Sequence, residues 1–169
     1  MDETVFIVTL TSTILVLMIL GIIFGRRNRT KRQQYVPIPH DVPAGLLEKQ
    51  PQLVVEGTYV STVLGQELLE RVTAHRLGNP ATVQLEVHNE GVALLRAGEP
   101  NIFIPTPDLV TVATVSGIAG KFVEKDGILA ITWNLGDVEV TTGLRIESIT
   151  EHQQVLTALE QLTNGRQTA

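Results

Sequence analysis

ILAITWNLGDVEVTTGLRI, residues 128–146, decides how this chain is read. Leu129, Ile131 and Trp133 alternate with smaller or polar residues, so they share one face of a strand. Val138, Val140, Thr142, Leu144 and Ile146 share a face on the way back, with Glu139, Thr141 and Arg145 opposite. Asn134 to Asp137 interrupts the alternation and contains Gly136, which supplies the backbone freedom a tight turn needs. The stretch predicts an antiparallel hairpin with one face in a core.

The same two-residue period spreads outward from it. Val83, Leu85 and Val87 alternate with Thr82, Gln84, Glu86 and His88. Asn89-Glu90-Gly91 then turns the chain into Val92 and Leu94. Shorter strands are predicted at 53–63, 101–104, 109–115 and 121–124, with Lys125-Asp126-Gly127 as a further turn. Two segments carry helical spacing instead. In GQELLERVTAHRLG, residues 65–78, Leu68, Leu69, Val72 and Arg76 suggest a short helix. At the C-terminus, Thr150-x-x-Gln153 reads as a capping box. Val155, Leu156, Leu159 and Leu162 form an apolar stripe that ends at Asn164-Gly165. The expectation for 52–164 is a bent antiparallel sheet, or partial barrel, of about seven strands capped by a C-terminal α-helix. Residues 165–169 form a tail.

The N-terminal part has a different character. Val5 to Phe24 contains no ionisable side chain, and twenty helical residues rise ~30 Å, the thickness of a bilayer's hydrocarbon core. The acidic start Met1-Asp2-Glu3-Thr4, and the absence of a small-residue cleavage pattern, argue for an uncleaved signal anchor over a signal peptide. Five basic residues follow the run: Arg26, Arg27, Arg29, Lys31 and Arg32. Basic flanks stay on the cytoplasmic side, which predicts a single-pass protein of the plasma membrane with its N-terminus outside. The cluster can also touch anionic headgroups. Gly21 and Gly25 have the small-xxx-small spacing of a helix pair, a homodimer signal.

Residues 1–32 carry net charge +3 and residues 33–169 carry −8. An acidic domain is a poor partner for nucleic acid. Pro37, Pro39, Pro43 and Pro51 mark residues 33–51 as an extended linker that holds the domain off the bilayer. There is no cysteine, which removes disulfides, thiol catalysis and Cys-based zinc together.

No catalytic, cofactor or metal constellation emerges. GIAGKF, residues 117–122, has Phe122 where a phosphate loop needs Ser or Thr, and reads as a strand-to-strand turn. His40, His75, His88 and His152 have no metal-ligand spacing. Glu86 and Glu139 fall on a solvated sheet face, and Trp133 on the packed one. Two segments read as surface: HRLGNPA, 75–81, and GEPNIFIPTP, 98–107. In the second, Ile102, Phe103 and Ile104 either plug the barrel or are shown to a protein partner.

The order of elements resembles a pleckstrin-homology-like (PH-like) domain. The set EGTYVSTVLGQELLERVTAHRLG, GVALLRAG, FIPTPDLVTVATVSGIAGK and ILAITWNLGDVEVTTGLRI is similar to small actinobacterial single-pass membrane proteins with a cytoplasmic PH-like domain. These are often loosely labelled as transporters or export proteins. The basic loop of phosphoinositide-binding PH domains is not present after Val63. The resemblance implies a non-enzymatic, membrane-anchored module that recruits or scaffolds a protein partner at the cytoplasmic face. The alternative is an accessory or sensor subunit of a membrane transport or envelope complex, with lipid contact through the basic cluster.

Overall fold

The structure, a computed structural model, describes residues 3–33, 35–66 and 68–165; the side chains of 4, 5 and 23–32 lie outside that description. The chain divides into two compact units, one up to Tyr35 and one from Val36.

The first unit is a single helix, α1, Glu3–Arg32. Its described apolar side chains, among them Phe6, Leu10, Leu17 and Ile22, are exposed. Thr11 and Thr13 return their hydroxyls to carbonyls of the preceding turn, at 2.7 and 2.8 Å, so neither adds an unpaired polar group to the helix surface. Among the described residues no helix is long and apolar enough to cross a membrane. The side chains of Val5, Phe24, Gly25 and the whole basic cluster lie outside the description.

The second unit is mainly β. Nine strands run in chain order among the described residues: β1 Leu53–Leu64, β2 Ala81–His88, β3 Gly91–Arg96, β4 Ile102–Pro105, β5 Leu109–Val115, β6 Gly117–Ile118, β7 Lys121–Phe122, β8 Ile128–Leu135 and β9 Val138–Arg145. Helix α2, Ile149–Gly165, follows. Seven strands form one antiparallel sheet in the order β4-β3-β2-β1-β9-β8-β5, and β6-β7 is a separate hairpin. The long β1 pairs with β2 through its first half and with β9 through its second. A register shift between Tyr59 and Ser61 bends it where the partner changes. The sheet therefore curls, and α2 packs against β5, β1 and β2.

The β8–β9 hairpin turns at Gly136, φ 60°, between the paired Leu135 and Val138. Leu129, Ile131, Trp133, Val140 and Leu144 are buried in the main core together with Tyr59, Leu85, Leu94, Ile104, Val155 and Leu159. Burying one such side chain stabilises the fold by ~1.5–3 kcal/mol. A second, smaller cluster of Val60, Val63, Ile118 and Ile128 lies under the β6–β7 hairpin. That hairpin turns through Ala119 and Gly120, both at positive φ.

Three local expectations change. The described residues of 65–78 form no α-helix. Val72 and Leu77 exchange backbone bonds with Thr62, and Leu64 N–H donates to Glu70 O. The segment folds back along β1, and only Ala74–Arg76 closes a short 3₁₀ turn. The i, i+4 spacing of Leu68 and Val72 serves two different clusters instead of one helix face. The cap of α2 is Ser148 rather than Thr150: its Oγ accepts the Glu151 N–H at 3.3 Å. Glu86 is buried, accepting from Gln84 Nε2 at 2.7 Å and lying 3.1 Å from His88 Nε2.

The proline-rich stretch from Val36 onward lies along the sheet as a strap. Val36 is buried in the main core. His40 bridges to Phe103, whose N–H donates to His40 O at 2.8 Å. Leu46 is buried against Ala93 and Phe103, with Val42 beside it. Lys49 pairs with Glu90, and Gln52 with Asn89. Prolines at 37, 39 and 43 keep the strap extended but prevent a continuous ladder.

Candidate functional site

The strap, the loop before β2 and the β3–β4 loop enclose a cleft of about 540 Å³. Its floor is Arg96, the last residue of β3. Val92, Leu94 and Arg96 alternate inward, so the backbone of a buried strand delivers a guanidinium to the edge of the core. Arg96 is only 4% exposed. Its Nε donates to Pro100 O at 2.8 Å and its Nη1 to Arg76 O at 3.3 Å. The guanidinium carbon sits 4.6 Å from the centroid of the Tyr59 ring. Burial holds the Arg96 pKa below its ordinary value, and the neighbouring Tyr59 and Glu99 oppose that shift. The cation is thus held by carbonyls and a ring face rather than by a close carboxylate.

Tyr59 anchors the floor from below through a chain of hydroxyls. Trp133 Nε1 donates to Thr142 Oγ1 at 3.0 Å; Thr142 and Thr62 are 2.8 Å apart; Thr62 meets the Tyr59 hydroxyl; and Tyr59 donates to Leu77 O at 2.7 Å. An indole only donates and a carbonyl only accepts, so every hydroxyl proton must point from Trp133 toward Leu77. The cleft floor is fixed from the centre of the core.

The rim is built from strained backbone. His75 and Arg76 are consecutive left-handed residues, at φ 50° and 59°. For side chains other than glycine this costs ~1–2 kcal/mol per residue, and such strain gathers where geometry is functional. Contacts hold both in place. His75 Nε2–H donates to Val36 O at 2.8 Å. Arg76 forks onto Glu99, with Nη2–Oε1 at 3.1 Å and Nε–Oε2 at 2.7 Å, while Asn79 Nδ2 donates to the same Oε1 at 3.0 Å. Ile38 lines the cleft from the strap although 75% exposed. The site combines a buried cation, an ion-paired rim and an apolar wall, a combination suited to holding a ligand group.

The two surface segments read from the sequence, 75–81 and 98–107, meet here through His75, Arg76, Glu99 and Pro100. The apolar trio does not present a surface. Ile102 and Ile104 point into the main core, fully buried; Phe103 points the other way and is covered by Leu46 and Val42 of the strap. Sequence reasoning missed Arg96 and the strap wall. The inward parity of Val92-x-Leu94-x-Arg96 was the available signal. Among the described residues no cluster of His, Asp or Glu is placed to hold a metal ion. Arg26, Arg27, Arg29, Lys31 and Arg32 lie outside the described side chains. An added Cβ at Gly21 would meet nothing within 4 Å.

No curated protein matches the chain. Among solved structures, one described as Vav1 inhibited by an allosteric inhibitor, in which inhibitors block GEF activity, is similar at 11% identity and a TM-score of 0.42. The match covers 82% of this chain and 34% of that one, so this chain spans about a third of its length. The strand order, the bent first long strand and the closing helix agree with the family whose sequences match residues 36–160: the chain belongs to the bacterial PH domain-like family.

Proposed function

We propose that the chain is a membrane-anchored PH-like interaction module that recruits or scaffolds a protein partner at the cytoplasmic face of the plasma membrane. PH-like domains are in general interaction modules rather than catalysts. The anchor in this reading is α1. Twenty uncharged residues from Val5 to Phe24, followed by Arg26, Arg27, Arg29, Lys31 and Arg32, support a single pass with the N-terminus outside. Gly21 and Gly25 would let two such helices pair.

The observation that carries the recruiting role is Arg96. A buried cation offset by carbonyls and a ring is costly to maintain, and this one opens onto a cleft whose rim is strained and whose wall is an exposed isoleucine. The test is crosslinking and co-purification of the full-length chain from its native membrane, with Arg96→Met and Ile38→Asp variants beside it. A second control replaces Val5–Phe24 by an unrelated anchor. A partner that survives the anchor swap and is lost with both cleft variants supports recruitment through the cleft. A partner lost on the swap and indifferent to the cleft favours an accessory or sensor subunit of a membrane complex.

A further inference from the structure

The two arginines of the cleft are served differently. Arg76 is neutralised by Glu99 through a two-point ion pair. Arg96 has no carboxylate within ion-pair distance among the described residues. Its Nε and Nη1 go to the carbonyls of Pro100 and Arg76, while its Nη2 has no protein partner among the described residues and keeps contact with solvent. Asn101 Oδ1 accepts the Arg96 backbone N–H at 3.0 Å, which leaves the Asn101 amide nitrogen without a partner among the same residues. The cleft thus offers one uncompensated cation and one free neutral donor to the same space. The other charge there without an ion pair is Asp41, exposed on the strap, where water screens it.

Three properties select the occupant. A dianion such as a phosphate monoester would meet Asp41 and Glu99 with a single unpaired cation to hold it, so the charge count favours a monoanion. Arg96 is almost wholly buried, so only a narrow group reaches its guanidinium. The exposed Ile38 and its neighbour Pro39 line the same space, so the anion needs an aliphatic group close to its charge. A chain ending in Leu, Ile or Val meets all three, because its carboxylate and its aliphatic side chain leave the same carbon. An Asp or Glu side chain supplies the charge but sets polar backbone against Ile38 and Pro39.

We infer, from the recruiting role proposed for this cleft, that what it captures is the free C-terminal carboxylate of the partner protein. The carboxylate accepts from Arg96 and Asn101, and the terminal aliphatic side chain lies against Ile38 and Pro39.

The probe is the fluorescein-labelled peptide GSGSL with a free C-terminus, titrated into the full-length chain in neutral detergent and followed by anisotropy. The expected result is saturable binding of the free acid, weakened about tenfold or more by amidation of its C-terminus. Arg96→Met should weaken the acid by a similar factor. Ile38→Asp, at an exposed position that leaves the core intact, should do the same by setting a carboxylate on the wall. Phe122→Ala, on β7 and outside the cleft, should change nothing. Unchanged emission of Trp133 certifies the fold of each variant. Equal affinity for acid and amide, binding indifferent to Ile38→Asp, or no saturable binding of the acid overturns the inference. Displacement of the peptide by inorganic phosphate or by phosphatidylglycerol vesicles, and not by acetate, overturns it in favour of a lipid headgroup. Recruitment itself is read separately, by adding a Gly-Ser-Gly extension to the C-terminus of the crosslinked partner. A partner that tolerates the extension and still requires Arg96 removes the carboxylate and leaves recruitment standing; a partner released by the extension supports the inference.

Discussion

Arg96 lies with its guanidinium carbon 4.6 Å from the Tyr59 ring centroid, and the same phenol closes the hydroxyl chain that begins at Trp133. One ring thus supports a cation on one side of the core boundary and orders the polar groups on the other. Tyr59→Phe keeps the ring and removes the hydroxyl, leaving Leu77 O and Thr62 Oγ1 without this partner. The expected cost is about 1–3 kcal/mol, since a buried group loses its hydrogen bond. Arg96→Met keeps the stem's packing but removes the donors to Pro100 O and Arg76 O. The two losses should fall short of additive in the double variant, because the residues touch. Equilibrium denaturation followed by Trp133 emission measures all three, and full additivity would show that the contact carries no coupling.

Tyr59 also sets a limit at alkaline pH. Burial pushes its pKa up to about 12, the dominant effect, with the Thr62 hydrogen bond and Arg96 pulling the other way. The folded state keeps the phenol proton more tightly than the unfolded state, which releases it near the ordinary value of 10. The stability this contributes is therefore complete below pH 10 and is lost as pH rises through 12. Two pK units correspond to roughly 2–3 kcal/mol. In a Tyr35→Phe background, absorbance near the phenolate band should show Tyr59 ionising only together with unfolding. Reversible ionisation of Tyr59 in the folded protein near pH 10 would contradict this.

The legible part of the fold was the part governed by period-two alternation. The β8–β9 hairpin, its turn at Gly136 and the α2 stripe could be read because each element has one buried face of its own. Residues 65–78 misled because Leu68 and Val72 obey helical spacing while packing into two clusters on different sides of β1, a tertiary arrangement that no local pattern encodes. The strap was missed for a related reason. Its prolines speak correctly of extended backbone, but whether extended backbone hangs free or lies on a sheet depends on a seat formed by Ala93 and Phe103, fifty residues away. The site was half legible: both loop segments were singled out, while the cation between them waited on the parity of β3.

Gly91 tests how tightly β3 and β4 are closed. It sits at φ 155° beside the β2–β3 turn, and a Cβ built on it would stand 2.2 Å from Ile104 O. That oxygen is backbone and belongs to the paired strand, so it cannot swing aside. Gly91→Ala should cost more than about 3 kcal/mol, in the range reserved for named backbone strain. The damage should appear first as faster amide exchange at Ile104, whose neighbour Phe103 turns its own N–H to the strap, with β8 and β9 protected until global unfolding. A thermal midpoint within a degree of the parent would show that the strands separate at little cost.

The strap gives the clearest separation of local from global stability. Leu46 is its buried anchor beyond Val36, in a cluster of three buried residues that also holds Ala93 and Phe103. Deleting a buried leucine side chain from a rigid core costs about 2–5 kcal/mol, because the cavity cannot collapse. Here the covering element can lift away, since between Val36 and Leu46 it is tied to the sheet mainly through His40 and Phe103. Leu46→Asp should therefore release the strap while the sheet stays folded: cleavage by a broad protease should become fast between residues 38 and 48, with the Trp133 denaturation midpoint little changed. The cleft would lose Ile38 and Pro39 from one wall at the same time, so a partner that depends on the cleft should dissociate from this variant as it does from Arg96→Met. Global unfolding in step with strap cleavage would mean instead that the strap is an integral layer of the domain and cannot open on its own.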